Sequence, residues 1–561
     1  MIQGLTARWK GLLLLVGLLV AGAVPLRAQV LRKVEVRVTA VSGARIFIDK
    51  GRDAAIEPDD LLTLYPAGGV PVQARVQAVS RTTSSAEFNG QVGLIQPGTR
   101  GEIQVPEARL VPDREVPPQT GKPPPPEHPP WTRPLGAQDP STPLLAPVSG
   151  RGPEDRPTRL RGRYWLNTVG NWNRGMVDQR YLLADVGTDL RVENPFGRAG
   201  ELRLRGDVSH RRSYSDLQAD TRTSRGRLDR LSYRVGHLDR SPVRYQLGRF
   251  LQTEFPEFGL VDGVEADVQT SRNHRLGFSA GAFPEPFVDQ STGQDVQAAA
   301  YWRYWAGEDK SFDFGAGLQK TWHKGDADRD LLVLNMYSRP TEDLSFHSSV
   351  WVDYYTSGDA IKSPGLELTE IQLSGTYALA PGHGVAVNLS RVRWPELKRD
   401  EFDPLTASQI LDNRVLRVSG NTWHELSEHL RTTLRASYWD DQDRGGFDGE
   451  VGVSLRDLLY DQGSVDLTLF RTDGAFNDGY GARLSAWYYS GSLSLNGGYE
   501  IAEYSNDNSS IGAGDPGTLH ALTGGLQWVL TESVDFSTSL DYRFGGSQDA
   551  LTIGAFIQTH F

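Results

Sequence analysis

Cysteine is absent from the 561 residues, which removes disulfides, thiolate metal sites and cysteine nucleophiles together. Methionine is scarce, at 3 residues, and the longest apolar run, Gly11 to Pro25, is shorter than the roughly 20 residues that a membrane-spanning helix needs. Positive charge is in deficit as well. With 59 Lys and Arg against 70 Asp and Glu, the net charge is -11, and the chain as a whole lacks the electropositive footprint of a nucleic-acid binder. The 11 histidines show no His-x-x-x-His pairing and helices are not expected, so no metal centre, cofactor site or catalytic set is read.

What the chain does have is 60 glycines, 20 tyrosines and 13 tryptophans, a composition of strands, tight turns and interfacial aromatics. Mean hydropathy is -0.42, which does not exclude a membrane, because a transmembrane barrel is apolar only at every second strand residue. Arg8 and Lys10 precede the apolar run, the pattern of a secretory signal over residues 1–28, cut after Ala23 or after Ala28. An uncleaved anchor is the alternative. Without a cysteine near either cut, attachment as a lipoprotein is excluded.

From residue 29 to 106 short alternating segments (Val34-Val36-Val38-Ala40, Ile46-Ile48, Leu62-Leu64, Val72-Ala74-Val76) are broken by glycine turns and predict a small all-β module. The stretch from Gly51 to Leu64 resembles the turn of small SH3-like barrels of periplasmic assembly proteins, with Ala55 and Asp59 where that pattern usually carries glycine. That resemblance implies a module that docks a periplasmic protein partner; a plain spacer is the alternative. Residues 107–157 are rich in proline, including Pro123 to Pro126 and Pro129-Pro130, and read as a linker. Extended at about 3.1 Å per residue, it would reach on the order of 150 Å, so the module need not touch the remainder of the chain.

Residues 158–561 consist of segments of alternating polarity separated by turn residues. Leu182, Ala184, Val186, Thr188, Leu190 and Val192 share one face, with Asp185, Gly187, Asp189, Arg191 and Glu193 on the other; Val534, Phe536, Thr538 and Leu540 repeat the pattern near the end. A soluble sandwich also alternates. The connections separate the two readings, since short turns such as Ser271 to His274 and Thr531 to Ser533 alternate with long polar stretches such as Pro284 to Asp295 and Glu503 to Gly517. The expected fold is all-β: a large antiparallel transmembrane barrel of about 22 strands (range 18–24), integral to an outer membrane, with the small β domain in the periplasm.

The last segment, Leu551 to Phe561, places Ile553, Ala555, Ile557 and the terminal Phe561 on one alternating row. It resembles the C-terminal β-signal of bacterial outer-membrane barrel proteins, with Thr559 where an aromatic residue is usual. The resemblance implies recognition by the barrel-assembly machinery and insertion into outer-membrane lipid. Aromatics at strand ends, among them Trp302, Tyr304, Trp305, Trp351, Tyr354, Tyr355, Tyr438, Trp439, Trp487, Tyr488 and Tyr489, are expected to form interfacial girdles.

Gly277-Phe-Ser-Ala-Gly281 fits the nucleophile-elbow pattern but falls in mid-strand, where the strained strand-to-helix turn of that motif has no place. The runs Asp326, Asp328, Asp330 and Asp440, Asp441, Asp443 lack the glycine and distal glutamate of a calcium loop. The most suggestive constellation is basic: the strand phase turns Arg161, Arg163, Arg191, Arg203, Arg205, Arg211, Arg230, Arg234 and Arg244 into the lumen. Guanidiniums in a confined bore favour anionic solutes; pairing with Asp185, Asp189 and Asp207 is the competing expectation. The functional expectation is a non-enzymatic channel or export conduit with a partner-docking module; the alternatives are a non-conducting anchor that organises an envelope assembly and a transporter plugged by its N-terminal region, the last disfavoured because a proline tether fits poorly with a packed plug.

Overall fold

Alternation at period two builds two closed antiparallel rings, one inside the residue range of the predicted module and one over the rest of the chain. The computed structural model describes residues 31–42, 45–57, 60–65, 72–79, 83–88, 95, 99–106 and 157–561, the last span apart from 176–177, 217–218, 237–240, 286–291, 308–309, 400–409, 411–413, 442–443, 458–462, 475–477, 491, 506–516, 532 and 547. The expected signal segment, and the linker apart from residue 157, lie outside the described residues.

The small ring comprises β1 (Leu31–Ser42), β2 (Arg45–Ile48), β3 (Leu61–Tyr65), β4 (Val72–Val79), β5 (Ser84–Phe88) and β6 (Arg100–Pro106), closed in the order β1-β2-β5-β4-β3-β6. Its inward rows, Val36, Val38, Ile46, Ile48, Leu62, Leu64, Val76 and Ile103, form an apolar core with Ile56, which follows the 3-10 turn Arg52–Ala54. Ala55 closes that turn with φ 60°, the left-handed conformation in which glycine is usual. It therefore stands under local strain.

The large ring has 22 strands, in agreement with the count read from alternation. They are β7 (Arg159–Asn173), β8 (Gln179–Glu193), β9 (Glu201–Ser215), β10 (Thr221–Val235), β11 (Val243–Leu251), β12 (Leu260–Ser271), β13 (His274–Ala282) and β14 (Asp295–Ala306). Next come β15 (Phe312–His323), β16 (Asp326–Ser338), β17 (Leu344–Tyr355), β18 (Gly365–Ala380), β19 (His383–Arg393), β20 (Arg414–Ser427) and β21 (Leu430–Asp441). The ring ends with β22 (Arg444–Arg456), β23 (Gly463–Gly474), β24 (Asp478–Ser490), β25 (Leu493–Ser505), β26 (Thr518–Thr531), β27 (Val534–Gly545) and β28 (Gln548–His560).

Every neighbour is the next strand in sequence, and β28 pairs with β7 from Ala550↔Asn173 to His560↔Arg163 to close the wall. Phe561 adds two backbone hydrogen bonds with Gly162, each 3.0 Å, and its ring stacks on Tyr164. With strands about 4.8 Å apart and tilted about 40°, 22 of them enclose a bore roughly 40 Å across, backbone to backbone. The same arithmetic gives the small ring about 13 Å, or about 25 Å with side chains.

The outer face of the wall is an apolar belt: Leu182, Val208, Leu318, Leu373, Leu434, Leu469 and Leu484 are all exposed. Aromatics on this face gather toward both rims. On β27, Phe536 lies near one end and the stacked pair Tyr542 and Phe544 near the other, eight residues apart and so about 20 Å along the axis, close to the apolar thickness of a barrel belt. The expected girdle is only partly assembled from the residues named for it. Trp302, Tyr304, Tyr354, Tyr438 and Tyr488 belong to the outer rows, but Trp305, Trp351, Tyr355, Trp439, Trp487 and Tyr489 belong to the inner rows, because successive residues of a strand point to opposite faces.

Candidate functional site

The inner face of the large ring carries polar rows and three built features: an arginine-rich wall, a segment folded inward at mid-height, and the small barrel seated in one mouth. The mouth in question is the end where β7 begins and the connections are short.

The arginines fall where the strand phase puts them, opposite the exposed Leu160, Leu182, Val186, Val208, Leu231 and Leu247. Most are engaged with acids. Glu201, the first residue of β9 and fully buried, gathers Arg191 (2.6 Å), Arg203 and Arg234 (3.5 Å). Arg163 lies 3.9 Å from Asp189, and Arg205 lies 3.6 Å from Asp229. Arg244 joins Asp267 at 2.9 Å and also Glu254. Arg211 lies over the Tyr181 ring at 4.7 Å, Arg230 is engaged as well, and Arg161 stands exposed near the rim. Asp185, expected as a counter-ion, instead accepts the indole N–H of Trp165 at 2.8 Å. Charges on adjacent strands stand about 5 Å apart, so a bore lined by them alone would repel itself; interleaved acids relieve this.

Residues 252–259 join the short β11 to β12 and turn into the bore. Phe255 and Phe258 are buried there against Ala299, Tyr301, Leu331, Val333 and Trp351 on the inner rows of β14, β16 and β17. They fit because β15 offers glycines beneath them: a Cβ on Gly317 would come within 2.6 Å of the Phe258 ring, and one on Gly315 within 2.9 Å of the Phe255 ring. Polar contacts fix the segment from both sides. Gln319 Nε2 donates to the Phe258 carbonyl at 2.7 Å, Glu257 accepts from Asn335 at 3.0 Å, and Glu254 pairs with Arg244 and Arg303.

Ser279 of the elbow-like pentapeptide lies inside β13 and donates to Gln252 at 2.5 Å, so it braces this segment. Among the acids of the two candidate calcium runs, Asp330 is taken by Lys320 at 2.7 Å, Asp328 by the Lys398 amide at 2.5 Å, and Asp440 by Arg414 at 3.3 Å.

The module does not stand apart from the barrel, as the reach of the linker allowed. Arg75 of β4 pairs with Asp189 of β8 at 3.0 Å, and Gln73 accepts from Arg163 of β7 at 2.9 Å. Almost half-way round the ring, the Thr376 hydroxyl of β18 donates to the Thr39 carbonyl of β1 at 2.9 Å, while Phe47 of β2 stacks on Tyr337 of β16 with ring centroids 5.6 Å apart. Between these sides, Arg37 pairs with Glu425 of β20 at 3.1 Å and Lys33 lies over the Tyr489 ring of β24. All these wall residues lie within a few residues of the short-turn ends of their strands, so the small barrel sits across the bore at that end. Sequence reasoning missed the seat because it consists of scattered polar side chains with no local pattern. A linker's reach limits separation without favouring it.

The row expected to serve as an assembly signal lies at the seam of the ring: Ile553, Ala555 and Ile557 are on the outer face of β28 opposite Leu540, Thr538 and Phe536 of β27, and Phe561 caps the junction with β7.

No protein-family model matches the chain, and no curated protein matches it. Solved structures of similar shape include the translocation pore of the P pilus usher PapC, at 10% identity over 72% of this chain and 99% of that one with a TM-score of 0.41. Another is OccK5 (OpdH) of Pseudomonas aeruginosa, at 12% identity over 72% and 98% with a TM-score of 0.36. A bacterial polysaccharide outer-membrane secretin aligns at 11% identity over 52% and 98%, with a TM-score of 0.28. At these identities and scores none of them bears on what this chain does.

Proposed function

We propose that the chain is an integral outer-membrane channel or export conduit whose small N-terminal barrel, on the periplasmic side, acts as a displaceable plug. The observation that carries this reading is a second closed barrel lying across one mouth of a wide ring, held there mainly by polar contacts. A closed ring with an apolar outer belt is the form in which strands satisfy every backbone group inside lipid. Partly exposed ion pairs contribute about 0–1 kcal/mol each, so a handful of them holds the module without locking it. The connecting segment keeps the module at an effective concentration in the mM range, and at that concentration an intrinsic affinity of about 4 kcal/mol leaves it seated about half the time. Release of the plug by a periplasmic partner is part of the proposal. So is a bias toward anions, since the arginines of β7–β11 outnumber the acids that pair with them.

Planar-bilayer recording of the purified protein tests it. The expected record is repeated switching between a low and a large conductance level, the large level more populated when Arg37 and Arg75 are both changed to Glu, and a reversal potential displaced toward that of the anion in a salt gradient. Silence in the native protein and in that variant would support a second reading, a non-conducting anchor, which is favoured by the inward segment and the module both obstructing the bore.

A further inference from the structure

At the seam between module and wall, positive charge exceeds the acids that face it. Arg431, the second residue of β21, is 7% exposed, its Nε has no hydrogen-bond partner, and it forms no ion pair among the described residues. Arg431 stands opposite Glu425 in the β20–β21 register, and Arg37, Arg456 and Arg100 are the cations nearest to it. That carboxylate is already shared: one oxygen receives Arg37 of the module at 3.1 Å and Arg456 of β22 at 3.5 Å. The Arg456 Nε is buried without a hydrogen bond as well. Arg100, on β6, is held by Glu35 of its own barrel at 2.6 Å.

A buried guanidinium with no acceptor is costly, and removing water from several together costs more. Such an arrangement is relieved by an oxyanion that brings two charges and several acceptor atoms, and the planar fork of arginine matches phosphate oxygens. We propose that Arg431, Arg456 and Arg37 form a binding site for a soluble phosphate-type oxyanion, free phosphate or the phosphate group of a small ester, which ties the module to the wall. The groups belong to inner rows of the wall and to the module, and this places the site in the water-filled mouth, away from the lipid belt. The inference needs the seated module but not conduction, so it stands or falls separately from the channel reading.

Calorimetric titration of the full chain in detergent with inorganic phosphate, at constant ionic strength set by chloride, tests it. One saturable site is expected. Arg37→Gln and Arg431→Gln should each weaken it at least tenfold, Arg431→Lys should retain part of the affinity, and the exposed Arg225→Gln should leave it unchanged. Arg37→Gln alters only the module, so it remains informative if the wall variants do not fold. Phosphate binding no tighter than chloride, or unchanged affinity in Arg37→Gln, would overturn the proposal. A further arm repeats the titration in nanodiscs with and without phosphatidylglycerol. Phosphate binding equal in both supports a soluble ligand, whereas occupancy that appears only with the anionic lipid overturns it in favour of a headgroup site.

Discussion

Glu201 shows how one carboxylate can organise a wall of like charges. Three arginines converge on it inside the barrel, so its loss leaves several partly buried cations short of a counter-charge. Glu201→Gln is expected to cost on the order of 3 kcal/mol, read as a lower temperature for the loss of the compact gel band in detergent. The aromatic anchor of the inward segment behaves differently. Phe258→Ala removes a fully buried ring and is expected to cost about 3–5 kcal/mol locally, freeing residues 252–259. Protease cleavage within that segment, absent in the parent protein, is the measurement. The phase of the arginines was legible from alternation, because a period of two leaves no freedom about which face a strand residue takes. Glu201 as their common partner was not, because pairing across β8, β9 and β10 depends on register, which single strands do not carry. The Phe255-Pro-Glu-Phe258 anchor was equally silent, since its glycine floor on β15 lies some sixty residues away.

Between elements, the seat of the small barrel is the feature that local patterns could not reveal. Its own fold was readable, as the rows Val36-Val38 and Leu62-Leu64 do face one core. Its position depends on pairs such as Arg75 with Asp189. Reversing one charge, Arg75→Glu, should weaken seating, and the double exchange Arg75→Glu with Asp189→Arg should restore it. The absence of native cysteine gives a clean assay: Thr39→Cys and Thr376→Cys, joined by a short bifunctional maleimide, should cross-link efficiently in the parent background, several-fold less in Arg75→Glu, and normally again in the exchange. Failure of the exchange to rescue cross-linking would show that this pair does not hold the module.

At the scale of the whole molecule, strand number and closure were the most legible properties, because alternation repeats over four hundred residues and each repeat checks the last. The three longest connections, 283–294, 394–413 and 506–517, all leave the end opposite the module, and the proposed orientation rests on them. A tag within the long connection 284–294 should be cut by protease added to intact cells, whereas a tag in 107–156 should be protected. The detergent-extracted protein should change gel mobility on boiling. Cleavage of the linker tag alone would invert the orientation proposed here.

The ring is completed by its first and last strands, and this has a consequence for time. The small barrel leads the chain and can fold on its own core while the wall is still arriving. The hydrogen bonds between β28 and β7 cannot form until both strands have been made, so this closure spans the longest loop of any strand pairing in the wall and is expected to be the last of those pairings. Until then the wall is an open sheet with two bare edges. A module about 25 Å wide therefore waits beside an unfinished enclosure, and its seat exists only once the two ends of the sheet have met.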